Sequence, residues 1–121
     1  MNVTVRITKS FRIAAKPLFK KFPSLQKDLR QLESQLVENP TLGVPLGHNA
    51  YKIRLKITSK GRGKSGGARV ISLVEGNLIA EINITDEELT VNLLMIYDKS
   101  DTATLTDKEL KDLIKAFHSE K

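Results

Sequence analysis

The sequence predicts an α+β fold: a small antiparallel β-sheet (a meander plus an N-terminal strand), packed against two N-terminal helices and one C-terminal helix. Three observations carry this prediction. Apolar residues recur every three or four positions early in the chain, several later segments alternate apolar and polar residues, and Thr106 with Glu109 forms a capping-box pattern. The 121 residues fit one domain spanning 1–121.

The N-terminal third predicts one strand and two helices. Residues 3–8 alternate and read as a short strand. A helical segment follows over 10–22, where Pro17 predicts a break or an early turn. A second helix opens at Pro23 and ends before Pro40. Its predicted polar face includes Asp28, and its predicted apolar face consists of Phe22, Leu25, Leu29, Leu32 and Leu36.

The rest of the chain predicts a loop, four strands and a last helix. Two prolines and two glycines make 40–49 a predicted loop. Short turns at 75–77 and 86–88 indicate antiparallel neighbours with helices covering one face of the sheet. The predicted strands are 51–58, 68–74, 78–84 and 89–97, and the last helix presents Leu110, Leu113, Ile114 and Phe117 on one face.

The positive charge of the chain is concentrated in one segment. The formal net charge is +6, yet no Asp or Glu occurs between Glu38 and Glu75. The remainder of the chain is close to neutral. A localised basic patch predicts a polyanionic partner, which leaves nucleic acid, an anionic membrane or an acidic protein open. The basic residues of this segment are Lys52, Arg54, Lys56, Lys60, Arg62, Lys64 and Arg69.

Several classes of protein are disfavoured by composition. The chain has no cysteine, so disulfides, thiolate metal sites and cysteine nucleophiles are excluded. The N-terminal residues lack the apolar run of a signal peptide, and no stretch is long and apolar enough to span a membrane. A cytoplasmic protein without a membrane partner is therefore expected.

The glycine-rich segment 61–66 partly matches two phosphate-loop patterns. Residues 63–65 end like a Walker A motif, but Thr58 stands where that motif needs glycine, and a strand follows where it needs a helix. The G-x-G-x-x-G spacing also needs a following helix for dinucleotide binding, and the chain is too short for a kinase. A hairpin tip accounts better for these glycines.

Strand periodicity places Lys52, Arg54 and Lys56 on one face, roughly 6–7 Å apart. Like charges in such a row repel one another, which either favours a bound anion or marks a solvated edge strand. The two histidines, His48 and His118, have no partner at a spacing typical of catalysis.

Several motifs carry a family resemblance. Tyr51-Lys52-Ile53-Arg54-Leu55, the run from Gly63 to Ile71, and Ile96-Tyr97-Asp98-Lys99-Ser100 resemble the RelE/ParE superfamily of bacterial toxins, in particular its HigB-like branch. The resemblance implies the toxin of a type II toxin–antitoxin system. Such a toxin is an mRNA interferase that cuts message in the ribosomal A site and inhibits translation. A cognate antitoxin, expected to be of the helix-turn-helix type, would silence it.

Metal-independent RNA cleavage defines the groups that such an enzyme needs. The 2′-OH attacks the phosphate, a base takes its proton, cations stabilise the growing charge, and an acid protonates the leaving oxygen. No cofactor or metal is expected. By resemblance Lys52 is the base candidate, Arg54 holds the phosphate and Arg69 stabilises the transition state. Lys99 lies where many members carry an arginine, and Tyr97 would replace a tyrosine of the family whose place falls near Leu105.

The remaining basic residues, Lys56, Lys60, Arg62 and Lys64, are expected to bind ribosomal RNA or flanking message. Two alternatives remain open. A ParE-like toxin would inhibit DNA gyrase, although that branch lacks the basic set of the nucleases. A non-enzymatic RNA-binding module would bind RNA in a salt-sensitive manner without cleaving it.

Overall fold

The fold was obtained as a computed structural model, which describes residues 2–60, 67–77, 88–100 and 105–120. Within these residues the chain forms three α-helices and one five-stranded sheet, which confirms the α+β class. The strands are β1 (Asn2–Ile7), β2 (Val44–Gly47), β3 (Ala50–Leu55), β4 (Ala68–Asn77) and β5 (Glu88–Asp98). The helices are α1 (Lys9–Lys21), α2 (Leu25–Glu38) and α3 (Asp107–Ser119), and a 3₁₀ turn spans Thr58–Lys60.

The sheet has the strand order β1-β5-β4-β3-β2. Strands β2 to β5 pair antiparallel, which confirms the predicted antiparallel pairing for β3, β4 and β5. The predicted turn at 75–77 is wrong, because these residues continue β4 and pair with β5. The prediction of a wholly antiparallel sheet is wrong for β1, which runs parallel to β5. Parallel neighbours need a long crossover connection, and here the whole intervening chain from α1 to β4 serves as that connection.

Two helices cover one face of the sheet. Buried side chains of α1 and α2 pack against β3, β4 and β5, with Phe11 and Leu32 among the most deeply buried. The Thr8 side chain caps α1 by accepting a hydrogen bond from the N–H of Phe11. The predicted break at Pro17 is wrong, since α1 continues through it and the tertiary packing of its apolar face outweighs one lost hydrogen bond.

The third helix lies on the opposite face. Leu110 and Phe117 of α3 pack against Ile71, Leu73 and Leu94 of the central strands. Thr106 and Glu109 form the predicted capping box in full at the start of α3. The expectation that all helices share one face is therefore wrong, and the three-layer arrangement explains why both faces of β4 and β5 are apolar.

Part of the predicted loop 40–49 forms the edge strand β2. Proline is tolerated at Pro45 because the strand lies at the sheet edge, where fewer backbone N–H groups are needed. His48 and Asn49 both have positive φ angles, 57° and 63°, as a type I′ turn of two residues requires. This hairpin could not be predicted from the sequence, because a His-Asn pair is only a weak turn pattern.

Strand β3 ends at Leu55, earlier than the predicted 58, and the 3₁₀ turn follows. The predicted strand 78–84 lies outside the described residues. None of the helices in the described part of the chain combines the length and the apolar composition needed to cross a bilayer.

Candidate nucleic-acid interface

Three predicted site residues form a row across the three adjacent strands β3, β4 and β5. Arg54 lies directly opposite Arg69, and Arg69 lies directly opposite Tyr97. Directly opposed residues of antiparallel strands project from the same face, with Cα atoms about 4.5–5.5 Å apart. Two guanidinium groups and one phenol are thereby held side by side on a rigid sheet. We call Arg54, Arg69 and Tyr97 the cross-strand row.

The cross-strand row lies on the face that α3 partly covers. Ile53 and Leu55 pack against α1 and α2, so Lys52 and Arg54, which alternate with them, project from the other face. Tyr97 packs against the apolar cluster of α3. The predicted separation of basic and apolar residues along β3 is therefore confirmed. Lys52 pairs with Ile71, which is two residues from Arg69 on β4, so Lys52 and Arg69 are diagonal neighbours.

Exposure falls from the edge of the row to its centre. Arg54 is exposed, Lys52 and Tyr97 are half-buried, and Arg69 is only 5% exposed. One nitrogen of Arg69, Nη1, donates a hydrogen bond of 3.2 Å to the carbonyl oxygen of Ala68. Arg69 is thus held in place, whereas Arg54 reaches solvent and can meet a ligand first.

Asp98 follows the row and points to the opposite face. It accepts hydrogen bonds from Lys60 Nζ at 2.9 Å and from the N–H of Ser100 at 3.0 Å, and Lys21 Nζ lies 3.5 Å away. Burial by itself raises the pKa of Asp98, but the hydrogen bonds and the two ammonium charges outweigh burial, so its pKa lies below the ordinary value. Asp98 is therefore an ionised structural anchor of β5.

Lys60 is engaged within the fold. Its ammonium also lies 3.3 Å from Ser100 Oγ and 5.3 Å from the ring centroid of Phe22, and its side chain is 11% exposed. These contacts leave little of the side chain accessible. Its predicted role in RNA binding stays a prediction.

Asp28 anchors the 3₁₀ turn from the other side. Its carboxylate accepts hydrogen bonds from the N–H of Thr58 at 3.0 Å, from the Thr58 hydroxyl at 2.6 Å and from Ser24 Oγ at 2.8 Å. Asp28 is buried, so its predicted place on the polar face of α2 is wrong. A buried carboxylate is tolerated here because three donors replace its hydration.

The strand ends next to the row are held closely together. A Cβ atom built at Gly67 would collide with the carbonyl oxygen of Leu55, and the carbonyl of Gly67 accepts a hydrogen bond of 3.3 Å from the N–H of Lys99. Lys99 and Lys56 are exposed at the ends of these strands. Arg62 and Lys64 lie outside the described residues.

A cleft of about 440 Å³ lies between the C-terminal end of α2 and strands β2 and β3. It is lined by Lys52, Ile53 and Arg54 of β3 and by Gln35, Glu38 and Asn39 at the end of α2. Amide and carboxylate groups can bind the polar edges of nucleobases. The proximity of the end of α2 to β3 could not be predicted from the sequence, because only the tertiary packing joins them.

The two histidines line a different cleft of about 450 Å³. His48 belongs to the β2–β3 turn and His118 to α3, and Lys111 and Lys115 complete a basic lining. The two histidines are far apart in the sequence, so their shared cleft could not be predicted from it. Both histidines lie on the outside of the molecule and away from the cross-strand row.

The chain matches no protein-family model. Among the residues that the structure describes, no group of three or more His, Asp or Glu side chains could hold a metal ion.

Proposed function

We propose that this protein is the toxin of a type II toxin–antitoxin system and acts as a ribosome-dependent mRNA endoribonuclease. The observation that supports this best is the cross-strand row with Lys52 beside it. Two guanidinium groups on neighbouring strands match the needs of a phosphate whose negative charge increases in the transition state.

Each residue of this arrangement has a proposed role. Lys52 takes the proton of the 2′-OH, since it lies beside the row, one diagonal step from Arg69. Arg54 binds the scissile phosphate from the solvent side, and Arg69 stabilises the transition state from beneath. The phenol of Tyr97 protonates the leaving 5′ oxygen. Lys99 adds positive charge at the end of β5.

The proposed substrate is message, which the protein meets in the ribosomal A site. Exposed lysines around the row, such as Lys56, would bind ribosomal RNA or the flanking message through charge. Arg62 and Lys64 are assigned the same role from the sequence. The proposed partners are the ribosome and a cognate antitoxin of the helix-turn-helix type, and the proposed location is the cytoplasm.

The test combines growth arrest on expression with cleavage of a defined message on translating ribosomes. We expect Arg54→Ala to lower the cleavage rate on the order of 100-fold or more, as loss of a transition-state donor does elsewhere. Lys52→Ala and Arg69→Ala should behave similarly. Lys108→Ala is the control, because Lys108 is exposed on α3 and pairs only with Asp112 among the described residues.

The outcomes separate the alternatives. Full activity of Arg54→Ala and Lys52→Ala would refute the site assignment. Salt-sensitive RNA binding without cleavage on ribosomes would indicate a non-enzymatic RNA-binding module. A DNA-damage response without mRNA cleavage would indicate a gyrase inhibitor. Thermal unfolding of each variant shows whether its loss of activity reflects loss of the fold.

A further inference from the structure

Another basic cleft lies at the N-terminus of α1, away from the cross-strand row. It has a volume of about 270 Å³ and lies between the end of β1, the start of α1 and the C-terminal end of α3. Arg6, Lys9 and Arg12 supply its positive charge, and Glu120 is the one carboxylate that lines it among the described residues. The role proposed above uses none of these residues.

The three cations of this cleft are not neutralised within the described residues. None of them forms an ion pair there, and the first turn of α1 contains no acidic residue. Lys9 and Arg12 lie in the first turn, where the helix dipole already adds partial positive charge. Cations at this end of a helix are unfavourable unless an anion offsets them.

The start of α1 also offers two backbone donors. The Thr8 side chain accepts from the N–H of Phe11, the Thr8 carbonyl accepts from that of Arg12, and the N–H of Thr8 itself donates to Leu93. The N–H groups of Lys9 and Ser10 remain, and an α-helix provides no acceptor for its first N–H groups. Such donors bind phosphate oxygens at helix N-termini.

Asn92 provides the independent observation that defines the ligand. Asn92 lines the cleft and is fully buried. Its Nδ2 donates to the carbonyl of Leu73 at 3.3 Å and to Glu75 Oε1 at 2.8 Å, both on β4. Its Oδ1 has no hydrogen-bond partner among the described residues. Since the nitrogen is turned to β4, the oxygen faces the side of β1, where Arg6 is the register partner of Asn92.

An acceptor beside three cations selects a particular class of ligand. A bare anion satisfies the cations and the helix N–H groups but offers nothing to Asn92 Oδ1, and an unsatisfied buried acceptor is costly. A ligand that carries a hydroxyl donor close to a phosphate satisfies both. The backbone of RNA has this combination in each nucleotide, whereas DNA lacks the 2′-OH.

We propose that this cleft binds a ribose-phosphate unit of an RNA backbone. The phosphate lies against Lys9, Arg12 and the first N–H groups of α1, and the 2′-OH donates to Asn92 Oδ1. The choice of RNA as the ligand rests on the proposed function, whereas the evidence for an anion-binding cleft does not depend on it. Asn92 and Tyr97 are about 17 Å apart along β5 at the usual rise of a strand. Leu94 between them is covered by α3, so the cleft is a second contact and not an extension of the row.

The test is a titration of isotope-labelled protein without ribosomes, followed through the backbone amide resonances of Lys9 and Ser10. The probes are a short oligouridylate, its 2′-deoxy counterpart and sulfate, an anion without a hydroxyl donor. We expect the RNA to shift both amides and to bind on the order of threefold to tenfold more tightly than the deoxy strand, the worth of one hydrogen bond. Lys9→Ala and Arg12→Ala should each reduce the salt dependence of binding by about 0.7 in slope. Lys27→Ala, an exposed lysine of α2, is the control.

Three binding results would overturn the proposal. Equal affinity for RNA and DNA would show that Asn92 does not bind the 2′-OH. Unchanged amide resonances of Lys9 and Ser10 would show that RNA does not bind at this cleft. If sulfate shifts these amides as strongly as RNA, the cleft is a general anion site. Because no step depends on cleavage, RNA binding here without nuclease activity would refute only the proposed function. Cleavage with unmoved amides would refute only this inference.

Discussion

Lys60 donates a hydrogen bond of 2.9 Å to the buried carboxylate of Asp98 and thereby ties the 3₁₀ turn to the end of β5. Lys21 approaches the same carboxylate from α1 at 3.5 Å. Tyr97, the residue before Asp98, belongs to the cross-strand row. The ion pair on one face of β5 therefore fixes the backbone that carries the phenol on the other face.

The first prediction concerns the acid stability of this anchor. The pKa of Asp98 is lower in the folded than in the unfolded chain, so its contribution is complete above the unfolded value of about 4 and is lost as the pH falls through the folded value. We expect the free energy of unfolding in urea to fall more steeply below about pH 4 for the wild type than for Asp98→Asn. At neutral pH, Asp98→Asn should be less stable by about 3 kcal/mol.

The matched control is Asp112→Asn, because Asp112 is an exposed acid whose ion pair with Lys108 lies in solvent. Its pH profile should follow that of the wild type. If Asp98→Asn and the wild type lose stability in parallel below about pH 4, Asp98 does not act as an ionised anchor.

The second prediction separates structural from RNA-binding lysines. Lys60→Met retains the aliphatic stem near Phe22 but leaves Asp98 without its closest cation, so we expect a loss of about 3 kcal/mol in the free energy of unfolding. Lys56→Met removes an exposed charge and should leave stability within about 0.5 kcal/mol. The salt dependence of RNA binding should fall for Lys56→Met and remain unchanged for Lys60→Met. The opposite pattern would assign Lys60 to the RNA.

The faces of β3 could be predicted from the sequence, but the cross-strand row could not. Alternation alone separates Lys52 and Arg54 from the apolar residues between them. The pairing of Arg54 with Arg69 depends on the register of two strands whose connection includes 61–66, and no local pattern sets that register. Likewise, nothing in the sequence of β1 distinguishes a parallel from an antiparallel neighbour.

The burial of Asp28 could not be predicted from the helical pattern alone. Its position, three residues after Leu25 and four before Leu32, puts it on the apolar face of α2, but its charge suggested solvent. The donors that make its burial possible come from Ser24 and from Thr58 beyond β3. Such long-range compensation becomes visible only when the tertiary fold brings the donors together.

The third prediction tests the hydroxyl of Tyr97. The ring packs against the α3 cluster, so Tyr97→Phe should retain the thermal stability of the wild type. If the hydroxyl protonates the leaving oxygen, single-turnover cleavage on ribosomes should slow by roughly 100-fold or more while ribosome binding is unchanged. Tyr97→Ala should lose both stability and cleavage. A fully active Tyr97→Phe would assign the proton to another group.

The fourth prediction concerns Gly67, which directly precedes β4 and lies against the end of β3, close to the row. A methyl group at this position would collide with the carbonyl oxygen of Leu55, a backbone atom that can move only with its strand. Gly67→Ala should therefore lower the free energy of unfolding by about 1–3 kcal/mol. It should also shift β3 relative to β4 and spoil the alignment of Arg54 with Arg69, so cleavage should fall by more than the unfolded fraction explains.

Gly76→Ala is the matched control for Gly67→Ala, since it adds the same methyl group at the far end of β4, away from the row. There the new methyl would meet only the end of the Leu89 side chain at 3.3 Å, which can turn aside. We expect a small stability change and full cleavage activity for this variant. Urea unfolding and single-turnover cleavage, measured on both variants, decide the matter. Equal behaviour of the two would mean that the close approach of Gly67 to Leu55 does not position the row.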